Sequence, residues 1–281
     1  YVIGDLTDPL NPGDPDIEGV ILKYLSIDGS SYVGSLIGIA YDAFIQDCYV
    51  QGSVTGTTNY IGGFIGQASE EMLIRNCLSE VDVTGNDRVA GFAGQVTGNS
   101  PAMERFVHCG ATGNVDGYNY CGGMFGRSYG GSTLRVERSF CSGTVKFSVN
   151  SLYAYAAGFC ASLDDANLDE VYCASNVEGI ASSSHFYLSS FFYSTNSSSS
   201  YVSIDDSYTV ESISGRRDWR IGSSNFGQVQ SISSSNLKTT TGTSGSFDYT
   251  SIWFLESNTN GGYPIPRELV QSNTWEGTNS N

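Results

Sequence analysis

The sequence predicts an all-β chain wound as a parallel β-helix, a right-handed β-solenoid with rungs of about 28–35 residues, and three observations carry that expectation. A short block recurs at Gly63-Phe64-Ile65-Gly66, Gly91-Phe92-Ala93-Gly94 and Gly123-Met124-Phe125-Gly126. Degenerate copies stand before and after it, at Ser35-Leu36-Ile37-Gly38 and Gly158-Phe159-Cys160-Ala161. The last positions of the five copies, 38, 66, 94, 126 and 161, give spacings of 28, 28, 32 and 35.

A second block follows each copy, as in Ile45–Gly56, Ile74–Gly85 and Phe106–Gly117, continued at Val136–Phe147 and Leu168–Gly179. It aligns two apolar columns: Ile45, Ile74, Phe106, Val136, Leu168, and Val54, Val83, Val115, Val145, Val177. These constant blocks are short, β-branched or Gly-rich, and bounded by Gly, Asn and Asp, which marks strands and turns. A helical repeat of this length requires 3.6-residue periodicity over ten or more positions, and a propeller blade requires four strands in about forty residues. One turn of a solenoid fits better, because stacked turns share a core that no turn buries alone. Gly34, Gly62 and Gly122, four residues before Gly38, Gly66 and Gly126, mark corners or close backbone approaches.

Composition agrees. Gly numbers 34 of 281 residues and charged residues are 15%, which points away from helical bundles. Hydrophobic residues at 40% supply a sizeable core. The formal net charge of −16 argues against nucleic acid or an anionic membrane as partner. No apolar run reaches the ~18 residues needed to span a bilayer, so no membrane insertion is expected. The chain opens on Tyr1 with no visible leader, consistent with a removed leader or a start inside a longer protein.

The repeated residues resemble the GLUG repeat family. The resemblance rests on Leu36-Ile37-Gly38 and the three Gly-bounded blocks, each followed by an Asn-Cys-like pair: Asp47-Cys48, Asn76-Cys77 and His108-Cys109. It is clearest over 32–179, and Phe247–Trp253 with Gly262-Tyr263-Pro264 is similar to the segment that closes such arrays. The resemblance implies a β-solenoid in a bacterial extracellular or cell-surface protein, and no reaction. The expected organisation is an N-terminal arm at 1–16, a solenoid at 17–215, an irregular Ser/Gly/Thr-rich segment at 216–246, a capping segment at 247–270 and a polar tail at 271–281.

Seven Cys cannot all pair within one chain. Cys48, Cys77 and Cys109 share a repeat column, and Cys141 and Cys173 fall two residues later, on the same strand face. Cys121 and Cys160 lie in the Gly-rich block. All read as small buried hydrophobes in ladders.

Candidate chemistry is sparse. Gly126-Arg127-Ser128-Tyr129-Gly130 matches a nucleophile elbow in letters, but it lies in a variable connector without the strand–turn–helix context. Asp164, Asp165, Asp169 and Glu170 cluster, with Asp205-Asp206 expected in the next turn. They are weak candidates for Ca²⁺ through oxygen ligands. Asp165 and Asp206 are candidates for the carboxylate pair of a glycoside hydrolase, and the bland alternative is solvated turns. No other cofactor is indicated. Arg216, Arg217 and Arg220 around Trp219 suit an acidic patch or a sugar acid, or mark a departure from the coil. Asn196-Ser197-Ser198 is an N-glycosylation sequon in a Ser-rich run.

A solenoid has two open ends that polymerise unless covered. Tyr1, Val2, Ile3 and Trp275 are the assembly candidates, an arm from one protomer completing the sheet of its neighbour. The expected function is therefore non-enzymatic: an extracellular β-solenoid subunit of a surface fibre or adhesin that self-associates head to tail, with host or environmental glycans as further partners. The alternative is a carbohydrate-binding or carbohydrate-active β-helix using the acidic face.

Overall fold

The computed structural model describes residues 2–3, 15–98, 103–131, 133–149, 154–181, 186–193, 202–210, 213–214, 229–243, 245–257 and 259–271. Over the described residues the chain is a parallel β-solenoid of about five turns, built on four faces. One turn runs Ile37–Tyr41 on the first face, Phe44–Gln46 on the second, Tyr49–Gly56 on the third and Asn59–Gly62 on the fourth. Ile65–Ser69 then returns to the first face, in parallel register with Ile37–Tyr41. Among the described residues the third face is the longest sheet, running from Ile21–Gly29 to Gln230–Ile232.

Both expected apolar columns are continuous ladders. Ile45, Ile74, Phe106, Val136 and Leu168 are register partners, extended by Ile17 and Ile204. Val54, Val83, Val115, Val145 and Val177 are likewise in register, extended by Ile27. Every one of the ten predicted positions is at most 1% exposed. Fully burying such a side chain is worth about 1.5–3 kcal/mol, and in-register stacking repeats that gain at each rung.

The Gly-Phe-Ile-Gly block has a distinct reason at each position. A Cβ on Gly63 would stand 2.1 Å from the carbonyl oxygen of Gly91, and one on Gly91 would stand 2.4 Å from that of Gly123. Gly123 meets Gly158 in the same way at 2.1 Å, and Gly158 meets Ser190 at 2.2 Å. Successive turns therefore touch backbone to backbone, and only hydrogen fits. The next residue enters the core, where Phe64 stacks on Phe92 at 4.7 Å and Phe159 on Phe191 at 5.0 Å. Ile65, Ala93 and Phe125 follow it into the same core.

Three expected boundaries change. Val2–Ile3, expected in an arm that completes the sheet of a neighbour, pair in parallel with Ala40 and Tyr41 of their own chain. The C-terminal end of the first-face edge strand is thus paired in cis. Within the expected irregular segment 216–246, Gln230–Ile232 adds a parallel strand to Tyr208–Val210, so the third face runs beyond residue 215. The segment expected to cap an end lies instead along a flank, as described below. Tyr1 and Trp275 fall outside the described residues, as do Asn196 and the Arg216, Arg217, Trp219 and Arg220 group.

At the N-terminal edge of the third face, the register shifts between Leu22 and Leu25. Tyr24 bulges there with φ 58° and is 89% exposed. A bulge beside Lys23 blunts this edge against strand addition.

Candidate functional site

Each third-face strand begins with an outward residue, and these form a second apolar cluster separate from the core. Tyr49, Leu78, Phe140, Tyr172 and Tyr208 belong to it and are all buried, in one cluster with Leu237, Phe247, Trp253, Ile265 and Leu269 of the C-terminal segment. Tyr172 stacks on Phe140 at 5.3 Å. Gly110 occupies the rung between Leu78 and Phe140, whose side chains fill the space a Cβ would need.

The covering segment starts where Ser233 caps the short helix Ser234–Leu237 by accepting from Asn236 N at 3.1 Å. Leu237 buries against the cluster. Asp248 then organises a tight turn: its Oδ1 accepts from Thr250 N at 2.7 Å and from Ser251 N at 3.1 Å, and its Oδ2 accepts from the Ser251 hydroxyl. These bonds, the Ser251 hydroxyl first, hold its carboxyl below the usual range. The turn delivers Trp253 onto Phe247, stacked at 4.4 Å, with Tyr172 5.9 Å from the indole. Trp253–Phe254 pairs antiparallel with Ile265–Pro266. Polar locks complete the docking: Tyr208 donates to the Thr243 carbonyl at 2.7 Å, and the indole N–H of Trp253 donates to Glu170 Oε2 at 3.2 Å.

A cleft of about 660 Å³ opens where this segment meets the solenoid. Ala174, Asn176 and Val210 come from the third face, Ser231–Ser234 from the joining strand and helix start, and Tyr263 from the covering segment. Asn176 Nδ2 donates to Glu178 Oε1 at 2.7 Å, the Tyr263 and Ser234 hydroxyls are hydrogen-bonded at 2.8 Å, and Lys238 Nζ sits 4.2 Å from the Tyr263 ring centre.

The corner between the second and third faces carries a polar ladder. Asp47, Asn76, His108, Arg138, Glu170 and Asp206 occupy it on successive turns, all with φ between 43° and 55°. Asp and Asn tolerate this left-handed conformation, while Arg and Glu adopt it at a cost of about 1–2 kcal/mol each. Their side chains link the turns: Asn76 donates to Asp47 Oδ1 at 3.0 Å, His108 Nδ1 lies 3.2 Å from Asn76 Oδ1, and Arg138 pairs with Glu170 at 3.4 Å. Burial lowers the affinity of His108 for a second proton, so its 3.8 Å contact with Glu268 is made by a neutral ring at pH 7.

This geometry separates the acidic candidates. Glu170 is engaged by Arg138 and Trp253. Asp164 is buried with Oδ1 unpartnered, and burial pushes its carboxyl up. Asp169 registers with Asp205 on the next turn. Among the described residues no three His, Cys, Asp or Glu side chains are placed to hold a metal ion, so the Ca²⁺ candidates do not form a site. Asp165 precedes the strand Ala166–Asp169 and Asp206 follows Val202–Asp205, its register partner. They thus stand at opposite ends of the paired strands, five residue steps or about 16 Å of backbone rise apart, against the ~5–9.5 Å between carboxyl groups that glycoside hydrolysis uses. Ser128 is buried inside the strand Phe125–Gly130, with no elbow around it.

All seven Cys are free and buried. Burial pushes the thiols of Cys77, Cys109, Cys121 and Cys160 up, those of Cys109 and Cys160 to about 12. In the first column Cys48, Cys77 and Cys109 donate to the carbonyls of Gln46, Arg75 and Val107. Ser139 and Ser207 make the same bond in later turns, to Glu137 and Asp205. The column selects a small donor, not a redox group.

One surface escaped the sequence reading. Tyr32, Tyr60, Arg88 and Tyr120 all have φ between 48° and 63° beside the fourth face. Tyr32 stacks on Tyr60 at 4.5 Å, Arg88 lies 4.9 Å from the Tyr60 ring and 5.9 Å from Tyr120, and Tyr120 stacks on Tyr155 at 4.9 Å. Its signal was a Tyr or Arg residue six places before each second Gly of the block, hidden among 18 Tyr.

Comparison of the chain with protein-family models, with curated proteins and with solved structures found no match.

Proposed function

We propose that the chain is a non-enzymatic structural protein of an extracellular or cell-surface setting, a GLUG-type solenoid subunit of a fibre or adhesin. The observation that carries this reading is the use of its reactive side chains. All seven thiols are buried, with burial pushing those of Cys77, Cys109, Cys121, Cys141 and Cys160 up, Glu170 binds the covering segment, and Asp165 and Asp206 stand at opposite ends of paired strands. Regular ladders give a stiff rod whose outward side chains repeat at about 4.8 Å, a form suited to repeated contacts. The charge of −16 keeps flanks of like rods apart and favours contact at the ends.

Sedimentation of the purified chain, with electron microscopy of the same sample, tests the assembly. End-to-end rods support it, and a monomer at all concentrations overturns it. A second reading, carbohydrate binding, is favoured by the neutral cleft beside Tyr263.

A further inference from the structure

We propose that the cleft between the third face and the C-terminal segment is a binding site for a neutral saccharide. The inference rests on the adhesive reading above and supplies its ligand class.

The argument starts from the lining. Ala174, Val210 and Ile232 lie on three consecutive strands and make an apolar floor. Asn176, the Ser231, Ser233 and Ser234 hydroxyls and Tyr263 surround it with neutral hydrogen-bonding groups. None of the eight lining residues is charged. A pyranose has this same division, an apolar C–H face and a rim of hydroxyls that both donate and accept. Amide and hydroxyl side chains answer such a rim because they too do both.

Other ligand classes fit less well. Among the described residues an anion finds no cation in the lining itself, Lys238 standing over the Tyr263 ring, and it meets a chain of net charge −16. A hydrocarbon would cover hydroxyl and amide groups without replacing their water, which costs free energy. Peptide strand addition would use the backbone edge of Gln230–Ile232, the terminal strand of this sheet, whereas the lining side chains stand on the sheet's outer surface. The volume, about 660 Å³, lies in the range of small-ligand pockets.

Two features hold the site in shape. Glu178 fixes the Asn176 amide, and the Ser234–Tyr263 bond ties the solenoid side to the covering segment. Among the described residues the lining contains no carboxylate or imidazole, and the proposed event is binding without bond cleavage.

The test is ligand-observed saturation-transfer NMR on the full chain, with methyl glycosides of neutral hexoses and N-acetylhexosamines and with glucuronic acid as the charged control. Neutral glycosides should bind and the uronic acid should bind at least about tenfold more weakly. Asn176→Leu and, separately, Tyr263→Phe should weaken the neutral glycosides about tenfold, the equivalent of one lost hydrogen bond. A thermal melt of each variant, unchanged within a few degrees, ties the loss to the cleft. If neutral glycosides bind and both folded variants retain that binding, the site is wrong while the adhesive reading stands. If no glycoside binds the parent chain, the saccharide proposal fails entirely, and the rod assembly measured by sedimentation stands or falls separately.

Discussion

The phenol of Tyr172 donates to the backbone carbonyl of Pro264 at 2.5 Å, and the same oxygen accepts from Asn260 Nδ2 at 2.9 Å. One residue on the solenoid thus saturates two groups of a segment far away in sequence. Tyr172 is fully buried, and burial raises its hydroxyl well above the ordinary phenol range. It therefore stays protonated and keeps its role as donor.

Tyr172→Phe should loosen the covering segment while leaving the solenoid folded. The substitution removes both bonds while Asn260 Nδ2 still donates to Pro264 O at 3.3 Å, so the cost is about 0.5–1.5 kcal/mol per bond lost. Hydrogen exchange should show faster exchange at Trp253 and Leu269 with unchanged protection at Val83 and Val115. Equal acceleration in both regions would mean that the segment and the coil unfold together.

Gly91→Ala should be among the most damaging single-methyl additions in this chain. Its Cβ would meet the Gly123 carbonyl oxygen at 2.4 Å and the Ala111 Cβ at 3.2 Å, and neither is the end of a flexible side chain. Prising two rungs apart costs about 2 kcal/mol or more. Urea unfolding should show a lower midpoint, and an unchanged midpoint would refute backbone-to-backbone contact as the reason for the column.

Glu104→Gln should change the pH dependence of stability. Glu104 is fully buried, and its Oε2 accepts from Met72 N at 2.9 Å. Burial first, then the nearby Glu70, Asp42 and Glu71 charges, push its carboxyl from 4.5 to about 8. The native state therefore binds this proton more tightly than the unfolded chain does. The group's contribution is fully present below pH 4.5 and is lost as pH rises through about 8. That loss is on the order of 4 kcal/mol across the interval. The Gln variant keeps an acceptor for Met72 and has nothing to ionise. Denaturant melts from pH 4.5 to 8 should show the parent losing stability relative to the variant, and parallel profiles would refute the assignment.

The sequence by itself determined the coil. In an in-register parallel sheet each column is one chemical environment met again on every turn, so the columns of Ile45 and Val54, the Gly63 ladder and the interchange of Cys109 with Ser139 leave a visible period. What only the tertiary structure decided has no period. The closing motif was legible as Phe247–Trp253, yet its place on the flank depends on Tyr172 meeting Pro264 and Trp253 meeting Glu170, single contacts between unlike segments. The same holds for the acids: Asp165 and Asp206 fall in neighbouring turns by sequence, but they stand at opposite ends of paired strands. The pairing of Val2–Ile3 with Ala40 and Tyr41 is equally silent, since two extended residues carry no pattern. Repetition writes a contact into the sequence many times over; a contact made once is fixed only by the folded chain.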